Sequence, residues 1–229
     1  MIVTTENNVT TAHFFYIPSI FIVGFFVGAV TSNIVSQKQT SNGGLKSNPK
    51  IKGSLLAAAF AILTLIFIVT HIIAVPGGAK SLHAALGHQL LFDRHTSSTA
   101  NEVYSRLDSF GQAGRAAYKQ FTFSGDAVFP ISLLVFLVVL AFFVRERTSL
   151  SRATRALLIL LPLIWFLSDM IENSMIYYLI EHYPEKNIFI AEHLGTITSF
   201  KFTLLLCSMA LPAVTYALFR TRRNEIINQ

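Results

Sequence analysis

Cysteine is nearly missing from this chain. Cys207 stands alone among 229 residues, which excludes an internal disulfide and every CxxC metal or redox motif. Charge is also scarce: 13% of residues are Asp, Glu, Lys or Arg against 52% hydrophobic, a balance that soluble domains do not carry. Lys and Arg are absent from Met1 to His13, and Glu6 is present, so the basic n-region of a secretory signal is missing ahead of the first apolar block. Gly43-Gly44 and Gly77-Gly78 lack the Lys-Ser/Thr of a phosphate loop. Ser168 and Ser208 have no His within helical reach to activate them. His83, His88, His95, His182 and His193 show no HxxxH or ExxH spacing, so no metal is expected.

What the chain does have is long apolar blocks. They fall at 14–35, 55–75, 127–144, 156–180 and 197–219. Each is long enough to cross about 30 Å of hydrocarbon as a helix, and only as a helix does it satisfy its own backbone there. The expected fold is therefore all-α, a polytopic transmembrane bundle of about five spans forming one integral membrane domain. The first block is read as a retained span, with Gly24 and Gly28 as a GxxxG pair. Pro130 fits the first turn of the third span, whereas Pro162 and Pro212 should interrupt the fourth and fifth.

Basic residues set the orientation. Lys38, Lys46, Lys50 and Lys52 follow the first span, Arg145, Arg147, Arg152 and Arg155 the third, and Arg220, Arg222 and Arg223 the fifth. Five spans put these three segments on one side, and the positive-inside rule makes that side the cytoplasm, with the N-terminus outside and the C-terminus cytoplasmic. The flanking charge accounts for the pI near 9.6, so nucleic acid is not invoked as a partner. Asn8-Val9-Thr10 is a formal glycosylation sequon on the outer side.

The outer segment 76–126 is too long for a plain loop. After Ser97, Ser98 and Thr99, which suit N-caps, Val103, Leu107, Phe110, Ala117 and Phe121 recur at helical spacing. Amphipathic helices lying on the outer surface or over the bundle are expected, with a break near Gly111 and Gly114 and a shorter helix within 81–92.

Ionisable residues inside spans are costly and mark function by default. Asp169, Glu172 and Asn173 share one face of the fourth span with Trp165. Lys201 lies in the fifth, with His193, Thr196 and Ile197 on roughly its side, and His71 near the outer end of the second. By depth along their helices, Lys201 can reach Asp169 or Glu172. The expected result is an outward-opening polar cluster, serving either as a ligand or catalytic site or as a buried ion pair that fixes helix register.

The motifs Gly111-x-x-Gly114-Arg115-x-x-Tyr118, Asp126-x-x-Phe129-Pro130 and Asp169-x-x-Glu172-Asn173, followed by Lys201, resemble those of an uncharacterised group of small multi-pass membrane proteins, mostly bacterial. The resemblance covers the C-terminal half and the loop before it. It directs attention to these positions and implies no reaction or cofactor. Three function classes follow: a module binding a lipid or small amphiphile, with Arg115 at its headgroup; an enzyme of lipid-like substrates using Asp169 or Glu172 as acid–base group; and an accessory subunit of a larger membrane complex. Membrane lipids are the expected partners, joined in the last case by other membrane subunits.

Overall fold

The computed structural model describes residues 53–87, 89–93, 96–97 and 99–227, with side chains as far as Thr221. The first apolar block with Gly24 and Gly28, the sequon, the basic connector with Lys38 to Lys52, and His88, His95 and Ser98 lie outside the described residues. Within them the chain is helical, without strands: α1 (Gly53–Phe67), prolonged by a wider π-type turn over Ile68–Ile72, α2 (Ala79–Leu86), α3 (Ala100–Ser109), α4 (Gly111–Thr122), α5 (Gly125–Arg147), α6 (Arg152–Glu181) and α7 (Ile188–Ile227). Among the described residues, four stretches are long and apolar enough to cross a membrane: Gly53–Ile72, Gly111–Arg147, Arg152–Glu181 and Ile188–Thr221.

The long helices pack side by side. α6 and α7 share the most extensive seam, α5 lies beside α6, and α1 lies against α5. Phe60, Leu65, Leu167, Ile171, Leu206 and Leu218 are exposed on the bundle's outside. In lipid this arrangement is stable, because apolar side chains lose nothing by facing acyl chains.

Helices α2 to α4 form a cap over one end of the bundle. Leu82, Leu86, Leu91, Phe92, Val103, Tyr104, Leu107, Phe110, Tyr118 and Phe121 close a core with Ile176, Leu179 and Ile180 of α6 and Ala191 and Leu194 of α7. Thr99 caps α3, its hydroxyl accepting from Glu102 N at 3.3 Å. The break between α3 and α4 falls at Gly111, whose φ of +62° is open to glycine at little cost. At Gly195 the reason for glycine is space: a Cβ there would run into the Ser97 carbonyl, where the cap segment crosses α7.

Three expectations are corrected. α5 begins at Gly125, which puts Pro130 in its second turn, not its first. α6 and α7 run on through Pro162 and Pro212 without interruption. α7 starts at Ile188, well before 197, because the Asn187 side chain caps it by accepting from Ile190 N at 3.1 Å. Hydropathy misses these first turns because Glu192, His193 and Thr196 separate the short apolar run at 188–191 from the long one that follows.

Candidate functional site

The centre of the described structure is a charged cluster on the α6–α7 seam. Spacings of three and four put Asp169, Glu172, Asn173 and Ile176 on the buried face of α6. Leu194, Thr198 and Lys201 line the facing side of α7 by the same spacing. The Lys201 ammonium donates to Asp169 Oδ1 at 2.9 Å and forms an ion pair with Glu172 Oε2. Glu172 Oε1 accepts from the Thr198 hydroxyl. Glu172 is 0% exposed, Asp169 4% and Lys201 6%, so the pair is withdrawn from both water and lipid. At that burial, desolvation costs several kcal/mol per ion, and the ionic contacts are what offset it.

The neighbouring helix contributes through a proline. Pro130 has no N–H, which leaves the carbonyl four residues back, that of Asp126, without its helical partner. Asn173 Nδ2 donates to that carbonyl at 3.3 Å. The DxxFP and DxxEN motifs thus meet across the α5–α6 contact. The half-buried Asp126 carboxyl lies within electrostatic reach of Lys201, Asp169 and Glu172. Lys201 is therefore paired with two carboxylates and within electrostatic reach of a third. Two acceptors remain without a hydrogen-bond partner, Asp169 Oδ2 and Asn173 Oδ1, and so does Asp93 Oδ1 on the segment between α2 and α3. Among the described residues no three His, Cys, Asp or Glu side chains come together in a way that could hold a metal ion.

The other expected site residues lie elsewhere. Tyr118, 2% exposed, sits in the cap core, where its hydroxyl accepts from Phe92 N at 3.1 Å. Arg115 donates to the Leu107 carbonyl at 2.7 Å and lies over the Tyr183 ring at 4.1 Å, so it fastens the cap to the α6–α7 link and is turned away from the cluster. His71 packs among the rings of Phe67, Phe129 and Phe121 and shares a hydrogen bond with the Thr70 hydroxyl. His193 is exposed, bonded to the Phe189 carbonyl at 2.8 Å on another face of α7, and Thr196 is exposed too. Thr198 is the residue that sequence reasoning misses: its place three residues before Lys201 puts it on that side of α7, but only the approach of α6 brings its hydroxyl to Glu172. Asp93 carries no such signal, because only the folding of the cap brings it near Tyr118 and Asp126.

Grooves mark the surface of the described residues. An apolar one of about 530 Å³ is lined by Leu167, Ile171, Ser174, Tyr178 and neighbours. At 100° per residue it occupies the face of α6 opposite the carboxylates. A polar one of about 350 Å³ lies where the cap crosses α7, among Thr96, Ser97, Glu192, Gly195, Thr196 and Ser199. Neither is lined by Asp169, Glu172 or Lys201. Comparison of the chain with protein-family models, with curated proteins and with solved structures gives no match.

Proposed function

We propose that the chain is a five-span membrane protein, N-terminus outside and C-terminus cytoplasmic, whose working part is the polar cluster beneath the α2–α4 cap. In this reading it belongs with the small multi-pass membrane proteins whose GxxGRxxY, DxxFP and DxxEN motifs it resembles. The cluster takes the polar group of a lipid or small amphiphile. One observation carries this: Lys201, Asp169 and Glu172 are buried within candidate spans, and next to them acceptor atoms stand without donors. The cap supports the same reading, since it excludes water from the end of the bundle where a polar headgroup would otherwise exchange freely.

Native mass spectrometry of the protein extracted in mild detergent tests this. A retained lipid mass on the wild-type chain, lost in a Lys201→Met variant of unchanged helicity, is the expected result. Absence of any adduct, or an adduct indifferent to Lys201, removes the ligand reading. A co-purifying protein subunit in its place would favour the accessory-subunit reading.

A further inference from the structure

The hydrogen bonds around Asp169 do not close if every carboxyl group is ionised. Glu172 has a neighbour at each oxygen: the Thr198 hydroxyl, shared with the Leu194 carbonyl at 3.0 Å, at Oε1 and the Lys201 ammonium as ion-pair partner at Oε2. Asp169 Oδ1 has Lys201. Asp169 Oδ2 and Asn173 Oδ1 are both acceptors, both buried and both without a donor. They belong to residues four apart on one helical face, the spacing at which side chains meet. Two acceptors cannot satisfy one another. Turning the Asn173 amide over would give Asp169 a donor, but it would set Asn173 Oδ1 against the Asp126 carbonyl. Pro130 has freed that carbonyl, and it has Asn173 Nδ2 as its donor. The proline thus fixes which way the amide points, and the amide in turn demands a donor from Asp169.

We infer that the cluster is a proton-binding site in which Asp169 carries the proton on Oδ2 and donates it to Asn173 Oδ1. A single proton then satisfies both stranded acceptors, and Asp169 Oδ1 still accepts from Lys201. Lys201 and Glu172 remain as one neutral ion pair, so the surplus negative charge is reduced where the surroundings tolerate it least. Among the described residues, the charged and titratable groups within electrostatic reach of Asp169 from the other elements are Lys201 on α7, Asp126 on α5 and Asp93 on the α2–α3 segment, and Tyr118 on α4 lies within reach of Glu172. Lys201 is the cation of that set. A proton also needs no cavity, which suits carboxylates with 0% and 4% exposure. This inference rests on the reading of the cluster as the working part; it assigns a proton to Asp169 Oδ2 and Asn173 Oδ1 and leaves Asp93 Oδ1 as the acceptor open to a headgroup.

The test is infrared spectroscopy of the full chain in nanodiscs at neutral pH. The wild-type-minus-Asp169→Asn difference spectrum should contain a carboxylic C=O band that shifts on deuteration and moves in an Asn173→Val background. Bands of ionised carboxylate in that difference, with no carboxylic band, would overturn the inference. A second readout needs no spectroscopy. Asn at 169 reproduces the shape and donor of the protonated acid, so Asp169→Asn should leave the melting temperature unchanged, whereas Glu172→Gln should lower it. Failure of Asp169→Asn to fold, or equal losses in both variants, counts against a protonated Asp169. Neither readout involves a lipid, so their outcome is independent of the adduct measurement that tests ligand binding.

Discussion

Lys201 is the residue on which the bundle's interior depends most, because it is the cation that Asp169 and Glu172 share. Replacing it with Met leaves Glu172 charged, buried and short of one partner, which should cost about 3–5 kcal/mol, the usual penalty for breaking a buried pair. Glu172→Gln should cost a comparable amount by stranding the ammonium. The double variant should recover part of the loss, with a coupling of about 0.5–3 kcal/mol in a thermal or denaturant cycle in detergent. Strict additivity would mean that the two groups do not interact. Pro130 permits a second test at this scale. Pro130→Ala restores an N–H for the Asp126 carbonyl and makes the Asn173 amide redundant. The loss on Asn173→Ala, measured by melting temperature, should therefore shrink in the Pro130→Ala background.

Among the elements, the cap is held to the α6–α7 link by a few polar contacts around its buried core. Tyr183 donates to Asp108 Oδ1 at 2.8 Å, Lys119 pairs with Glu181, and Tyr104 accepts from Asn187 N at 2.5 Å. The hydrogen bond to Asp108 holds the Tyr183 phenol above the usual tyrosine pKa. A raised folded-state pKa means that the protonated form is the one favoured by docking. The contact is therefore complete below the ordinary tyrosine range and is lost as pH rises through and beyond it. Tyr183→Phe should lower amide protection in α3, taken relative to the intrinsic hydroxide-catalysed rate, at neutral pH and abolish its alkaline decline. Protection that falls equally at high pH in both proteins would show that Tyr183 is not the responsible group. The recurrence of Val103, Leu107, Phe110 and Phe121 is legible from spacing alone because the cap helices bury one stripe each. Arg115 escapes the same reasoning. Periodicity shows which residues face inward, but a basic residue off the stripe looks available to a headgroup until the Tyr183 ring is found beneath it.

For the molecule as a whole, four described stretches and the apolar block at 14–35 give five spans in the proposed topology, with every basic connector on one side. In a Cys207→Ser background, single cysteines at Ser47 and Ser149 should be protected from an impermeant thiol reagent in intact cells, while one at the exposed Glu185 should react. Labelling of Ser149 and Glu185 from the same side would contradict a transmembrane α6, and labelling of Ser47 together with Glu185 would contradict the inward connector. Ser97, although in the segment that the proposed topology puts outside, is a poor probe, because it is 1% exposed and accepts from Arg106 at 2.8 Å.

Hydropathy by itself determined that helices would form and roughly where, because an apolar run of this length can meet its backbone hydrogen bonds in hydrocarbon only as a helix. Spacing by itself put Asp169, Glu172 and Asn173 on one face, and depth brought Lys201 to their level. The tertiary structure alone decided the rest. Which of Thr198 and His193 joins Lys201 depends on the rotation of α7 against α6, which a sum of hydropathies does not contain. That Pro130 serves Asn173 depends on where α5 begins and on the approach of a second helix. The nearness of Asp93 to the cluster depends on the cap folding back over the bundle. In each case the deciding contact joins residues far apart in sequence, and local periodicity carries no information about such distances.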